Sequence, residues 1–165
     1  MTDVGFDTSI TFEANCTKED FDSYVAIVKE SFIHYNQLFD QYNAYEGINN
    51  VYTLNHEAYE NPIEVDPELV DLISYSLAFN EKDTAFDITQ GKLLDIWHTY
   101  REEGLEQNAQ HKSGRLPSEK EIQEARTHSG NDKIQIQDHT IRFTEPEFMI
   151  DLGGIAKGYA TQKNR

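Results

Sequence analysis

Apolar positions in the first quarter of the chain fall on one helical face. Phe21, Val25, Val28, Phe32, Tyr35, Phe39 and Tyr42 recur at alternating steps of four and three, the spacing of one side of an α-helix. Thr17, with Asp20 three residues on, gives this segment a capping-box-like start, so a helix is expected from Thr17 to about Tyr42. Its aromatic seam suits packing on a sheet within the molecule; a partner-binding coiled coil is the alternative. Ahead of it, Phe6-Asp7-Thr8-Ser9-Ile10-Thr11-Phe12 alternates and is rich in β-formers, which predicts a strand.

Beyond this helix the pattern breaks into shorter pieces. Asn43, Gly47 and Asn49 are turn formers and predict a loop that runs on to Leu54-Asn55. Asp66-Pro67 opens a second helix, aspartate as cap and proline in the first turn, with Leu69, Leu72, Ile73, Ser76 and Leu77 on one face to about Asn80. Asp87 reads as the cap of a helix over Leu93 to Tyr100, with Trp97 and Tyr100 expected in the core. Glu102 to Gly114 is polar and uneven, a loop or frayed helix. Ser118 and Glu121 form a capping box for a helix ending near Gly130. Ile134-Gln135-Ile136-Gln137 is an alternating strand, Asp138-His139 a hairpin turn, and Thr140 to Phe143 the return strand. Phe148-Met149-Ile150 reads as the end of a last buried strand. Two glycines and a helix from Ile155 follow. The expected fold class is α+β, with helices packed on an antiparallel sheet.

The 165 residues suffice for one domain with its own core. The formal net charge of −16 argues against nucleic acid and anionic membrane as partners, since both need basic surface. No apolar run reaches membrane-spanning length. Met1-Thr2-Asp3-Val4 has neither the basic start nor the apolar core of an export signal. Cys16 is the only cysteine, which excludes an internal disulfide. The six histidines, His34, His56, His98, His111, His128 and His139, show no close metal-ligand spacing, so zinc chemistry is not expected. No phosphate-binding Gly-x-x-x-x-Gly-Lys-Ser loop and no Gly-x-Ser-x-Gly elbow is present.

One stretch carries chemistry: Met149-Ile150-Asp151-Leu152-Gly153-Gly154-Ile155-Ala156-Lys157-Gly158-Tyr159-Ala160. A strand feeding a helix through Gly-Gly allows close approach to the backbone. It also aims unpaired N–H groups and the positive end of a helix dipole at one spot, where phosphate binds well. Lys157 adds a full positive charge there. In a chain this acidic, a phosphate-bearing ligand needs such local help or a divalent cation; a Gly-rich turn into a surface helix is the alternative reading.

The wording Ile-Asp-Leu-Gly-Gly-Ile-Ala-Lys-Gly-Tyr-Ala resembles the signature of the FAD:protein FMN transferases, the ApbE-type flavin transferases. Phe86-Asp87-Ile88-Thr89-Gln90-Gly91-Lys92-Leu93 resembles that family's Phe-Asp-x-Thr-x-Gly-Pro-Leu segment, with Lys92 in place of proline. Phe39 to Asn43 and Ile48 to Asn55 resemble its post-helix loop, and Phe6 to Phe12 its first strand. The matches span nearly the whole chain. Family members are much longer, so the sequence reads as the N-terminal part of a single flavin-transferase domain over 1–165, an incomplete T-fold-like architecture.

The resemblance implies FAD as substrate and Mg²⁺ as cofactor. FMN is transferred to a threonine or serine hydroxyl of a target flavoprotein, and AMP is released. It places Asn55, Asp87, Thr89, Gly91, Asp151, Gly153, Gly154, Lys157 and Tyr159 around the flavin nucleotide and makes the Ala156 carbonyl a metal ligand. The catalytic residues and the other metal ligands are expected in a second half, so this chain alone is expected to be inactive. It is expected to pair with that half or with another copy of itself. The family's setting implies the bacterial cell envelope. Two other readings stand beside the enzyme: a flavin-nucleotide-binding module without turnover, and a structural α+β domain.

Overall fold

The computed structural model describes residues 1–6, 8–82 and 85–165. The described residues form six α-helices and a small sheet: α1 (Lys18–Phe39), α2 (Val51–Glu57), β1 (Ile63–Glu64), α3 (Pro67–Asn80), α4 (Gly91–Ala109), α5 (Glu119–Thr127), β2 (Ile134–Gln137), β3 (Thr140–Phe143) and α6 (Ala156–Lys163). The strands run antiparallel in the order β1-β3-β2. Ile141 in the middle strand faces Ile63 on one side and Ile136 on the other. The α+β class with antiparallel pairing is therefore what forms. Among the described residues no helix is long and apolar enough to cross a membrane.

Local signals built most of these elements. The Thr17 side chain accepts from the Asp20 N–H and starts α1, which buries Val28, Phe32, Tyr35, Leu38 and Phe39. Asp66 caps α3 by accepting from the Glu68 N–H at 2.8 Å. Ser118 and Glu121 close a full capping box at α5. The Tyr100 hydroxyl then donates to Glu121 at 2.8 Å, docking α4 against α5. Val4, α1, α2, α3, β3, residues 148–152 and α6 share one core, in which Phe143 and Phe148 meet edge to face at 4.8 Å.

Several expectations are corrected. The described residues of the Phe6 to Phe12 segment are not a strand; Asp7 lies outside the described residues. Alternation is present, with Phe6, Ile10 and Phe12 half-buried, but a strand needs a ladder partner. Here, among the described residues, only Met1 and Ile10 exchange backbone hydrogen bonds, at 2.8 and 2.9 Å. The loop expected up to Asn55 contains α2, because Asn50 is a helix cap, its side chain accepting from the Thr53 N–H at 3.1 Å. α1 stops at Phe39, and Tyr42 lies beyond it and is exposed. α4 runs on to Ala109 through the polar stretch expected to be irregular. Tyr100 is in the core as expected, but Trp97 is 42% exposed. Phe148 and Ile150 are buried and Met149 half-buried, yet the stretch lies outside the sheet, because the Ile150 backbone pairs with the Asn55 side chain and that of Asp151 with the turn at Ile88.

Candidate functional site

Those partners organise the junction. The Asn55 carboxamide on α2 meets the backbone of Ile150 on both sides. Its Nδ2 donates to the Ile150 carbonyl at 3.0 Å, and the Ile150 N–H donates to Oδ1 at 2.9 Å. A side-chain amide thus does what a neighbouring strand would do, for a residue with no solvent exposure. One residue on, the Asp151 N–H donates to the Ile88 carbonyl at 2.8 Å. Gly91 lets the start of α4 press against the same segment: a Cβ there would lie 2.5 Å from the Met149 carbonyl carbon and 2.7 Å from the Ile150 nitrogen. Asn55, the Ile88 carbonyl and Gly91 are therefore brought together around the short stretch of main chain from Met149 to Asp151.

The Asp151 carboxylate is held from two directions. Oδ1 accepts from the Gly153 N–H at 2.6 Å, and Oδ2 accepts from the Gln41 side chain at 2.5 Å. A Cβ on Gly153 would meet Oδ1 at 2.9 Å, so glycine lets this turn close. The chain then winds around the Leu152 carbonyl, which accepts from the N–H groups of both Ile155 and Ala156. α6 begins at Ala156 with no side-chain cap. The N–H groups of Gly154, Lys157 and Gly158 find no acceptor among the described residues. Donors without partners at the positive end of a helix favour an anion.

A cleft of about 420 Å³ opens there, lined by Asp40, Gln41, Tyr42, Asp151, Ala156 and Lys157 among others. Lys157 is its only cationic lining residue among those described and makes no side-chain hydrogen bond or ion pair among them. Tyr42 stacks on His98 at 4.3 Å between ring centres while remaining 47% exposed. Partial burial, then the charges of Asp151 and Asp95, push its hydroxyl above the ordinary phenol range. Burial and a hydrogen bond to Asp40 push the Tyr45 hydroxyl up to about 12. Tyr45 is accordingly a protonated donor, its hydroxyl donating to Asp40 at 2.8 Å. Gln41 and Tyr42 escape a reading of the sequence as site residues. Gln41 reaches a partner 110 positions away, and Tyr42 looked like the end of a helical seam.

Other expected site residues turn elsewhere. Asp87 is engaged by its own loop: Oδ1 accepts from the Thr89 N–H at 2.8 Å and the Thr89 hydroxyl at 2.6 Å, and Oδ2 accepts from Gln90 at 2.8 Å. Thr89 is buried, and its oxygen accepts from the Gly130 N–H at 2.9 Å. In this arrangement both shape the turn behind the junction. Tyr159 does not line the cleft. It packs edge-on against Tyr35 and Phe39 and lines a separate, apolar groove between α3 and α6 together with Gly154.

The donor set around the cleft fits Mg²⁺ poorly. Mg²⁺ takes six oxygens at about 2.1 Å, usually with one or two carboxylates. The Ala156 carbonyl is neutral. Asp40 and Asp151 are the only carboxylates lining the cleft among the described residues, and intrachain donors hold both oxygens of each. These residues suit an anion more readily than they complete a Mg²⁺ shell.

Comparison with known proteins agrees with the motifs. FAD:protein FMN transferase of Chlamydia muridarum is 25% identical over 136 residues, covering 81% of this chain and 39% of that protein. Its namesake from Vibrio cholerae is 24% identical, covering 73% and 34%. The crystal structure of the ApbE protein of Thermotoga maritima superposes with a TM-score of 0.72 at 29% identity, over 91% of this chain and 45% of that one. The flavinyl transferase ApbE of Pseudomonas stutzeri shares the fold at a TM-score of 0.69 and 18% identity, over 87% and 42%. The chain thus spans less than half the length of these relatives. The ApbE family model matches residues 5–164, nearly the whole chain, and the chain belongs to the ApbE family.

Proposed function

We propose that this chain provides the flavin-dinucleotide-binding part of an FAD:protein FMN transferase. In that reaction a threonine or serine hydroxyl of a target flavoprotein attacks the FMN phosphorus of FAD. A P–O bond to the hydroxyl oxygen forms, the bridging P–O bond breaks, AMP leaves, and the hydroxyl proton passes to a base. The observation that carries the reading is the junction. Among the described residues, the amides of Gly154, Lys157 and Gly158 lack acceptors and the Lys157 side chain is unpaired at one helix start; Lys157 lines the cleft, whereas Gly154 and Gly158 line the separate groove, in a chain of net charge −16. The names of the relatives, FAD:protein FMN transferase, support the same substrate.

This chain's contribution is binding and placement. Lys157 and the junction amides hold the pyrophosphate. Asn55, Gln41 and the Ile88 carbonyl fix the main chain at Ile150 and Asp151 so that those donors converge. Gly153 lets the turn at Asp151 close, which sets the start of α6 and its donors. Phosphoryl transfer draws most of its acceleration from positioning and charge neutralisation. Mg²⁺ supplies the second of these in the whole enzyme under this reading. The described residues do not complete its shell, so the isolated chain is expected to bind FAD without transferring FMN.

The test is covalent flavin incorporation into an acceptor bearing the target threonine, read by in-gel fluorescence with FAD and Mg²⁺ present. No labelling is expected from the 165-residue chain, and labelling is expected from the chain within a full-length ApbE domain. Robust labelling by the chain alone would show that it is complete and overturn the division of labour.

A further inference from the structure

We propose that His34, Asp66 and Glu68 form a binding site for a divalent transition-metal ion of the zinc type where α1 meets the start of α3. Sequence spacing conceals it, because the ligands lie 32 and 34 positions from the histidine. The fold brings one nitrogen and two carboxylate oxygens within 4.8 Å of one another. His34 Nε2 stands 3.9 Å from Asp66 Oδ2. That is slightly wider than the edge of about 3.4 Å implied by metal–ligand bonds of about 2.1 Å in a tetrahedral shell. All three side chains are part-exposed, so small torsional changes close the gap.

The supporting contacts leave the needed atoms available. Asp66 Oδ1 is committed to capping α3, which orients Oδ2 towards His34. Glu68 Oε1 takes the Tyr35 hydroxyl at 2.8 Å and Lys163 at 3.2 Å, leaving the other oxygen for a metal. Ligands anchored by such outer contacts lose less freedom on binding. Lys163 opposes a cation electrostatically, so the site favours ions that gain from an imidazole nitrogen over hard oxygen-seeking ions. One imidazole with two carboxylates, and an open position for water, is a donor set zinc accepts and Mg²⁺ does not. None of the three residues lines the junction cleft, so the site is independent of the flavin reading. A metal there would staple α1 to α3.

The experiment is calorimetric titration of the full chain with Zn²⁺ alone, in a non-chelating buffer near neutral pH, alongside thermal melts. About one equivalent of Zn²⁺ should bind and raise the melting temperature. His34→Gln and Glu68→Gln should each weaken that binding at least tenfold and abolish the shift. Circular dichroism checks that both variants are folded, and FAD binding should be unchanged in His34→Gln. Co²⁺ in place of Zn²⁺ should give a visible ligand-field band that disappears in His34→Gln. Zinc binding equal in parent and His34→Gln would assign the metal to other surface groups and overturn the proposal. Equal competition by Mg²⁺ would overturn the metal class.

Discussion

Asn55→Leu removes the clamp on Ile150 while keeping a side chain of similar size. Two buried main-chain groups lose their partners together, the Ile150 N–H and its carbonyl. Each such orphan costs about 1–3 kcal/mol. Two orphans together cost about 2–6 kcal/mol, and partial relaxation of the segment puts the sum in the lower half of that span, about 3 kcal/mol. That is a large share of the ~5–15 kcal/mol that holds a domain together. For a chain of this size it lowers the melting temperature by about 6–12 °C. Asn49→Ala is the matched control. Asn49 also donates to a carbonyl, that of Glu64, but is exposed, so water replaces the bond at a cost below about 1 kcal/mol. Thermal melts followed by circular dichroism make the comparison. FAD affinity should fall in Asn55→Leu, because Asp151 and the junction amides lose their placement. A variant that melts within about 2 °C of the parent, with unchanged FAD affinity, would refute the clamp.

Lys157→Ala should weaken FAD binding by about 1–3 kcal/mol, the range for a charge-assisted hydrogen bond, with no change in melting temperature; fluorescence titration reads the first and a melt the second. Gly91→Ala should destabilise by about 1–3 kcal/mol through overpacking against Met149 and Ile150, whereas Gly158→Ala, with open space around its Cβ, should be neutral or slightly stabilising, as denaturant titration will show. Hydrogen bonds from the Ser118 hydroxyl and N–H, then from Tyr100, hold Glu121 down to about 2, from an ordinary 4.5. Its folded value is depressed, so the contribution is fully present above about 4.5 and is lost as pH falls towards 2. Glu121→Gln should flatten that part of the acid-stability profile, measured by circular dichroism between those limits.

The elements legible in the sequence are those with a local cause. Thr17, Asp66 and Ser118 announce their helices because cap and capped N–H lie within three residues. β2 and β3 announce themselves by alternation across a two-residue turn. What stayed hidden depends on distant partners. The stretch from Phe6 has a strand's pattern but no ladder. Phe148 to Ile150 has a strand's composition, yet its bonds go to Asn55 and its successor's to Ile88. α2 was concealed because asparagine favours both turns and helix caps, and only the fold decides between them. The site divides in the same way. The glycines and Lys157 of the junction are readable as a contiguous motif. Gln41 and Tyr42, and the clamping role of Asn55, exist only once α2 and the end of α1 are packed against residues 150 and 151.

The proposed preference of the junction for a flavin dinucleotide is tested most directly by titrating the chain, alone and within a full-length ApbE domain, with FAD and with NAD. Flavin fluorescence follows FAD and calorimetry follows NAD. Saturable FAD binding that exceeds NAD binding and weakens in Lys157→Ala is the predicted result. Equal binding of the two dinucleotides, or FAD binding indifferent to Lys157→Ala, would contradict the assignment of the pyrophosphate to this helix start.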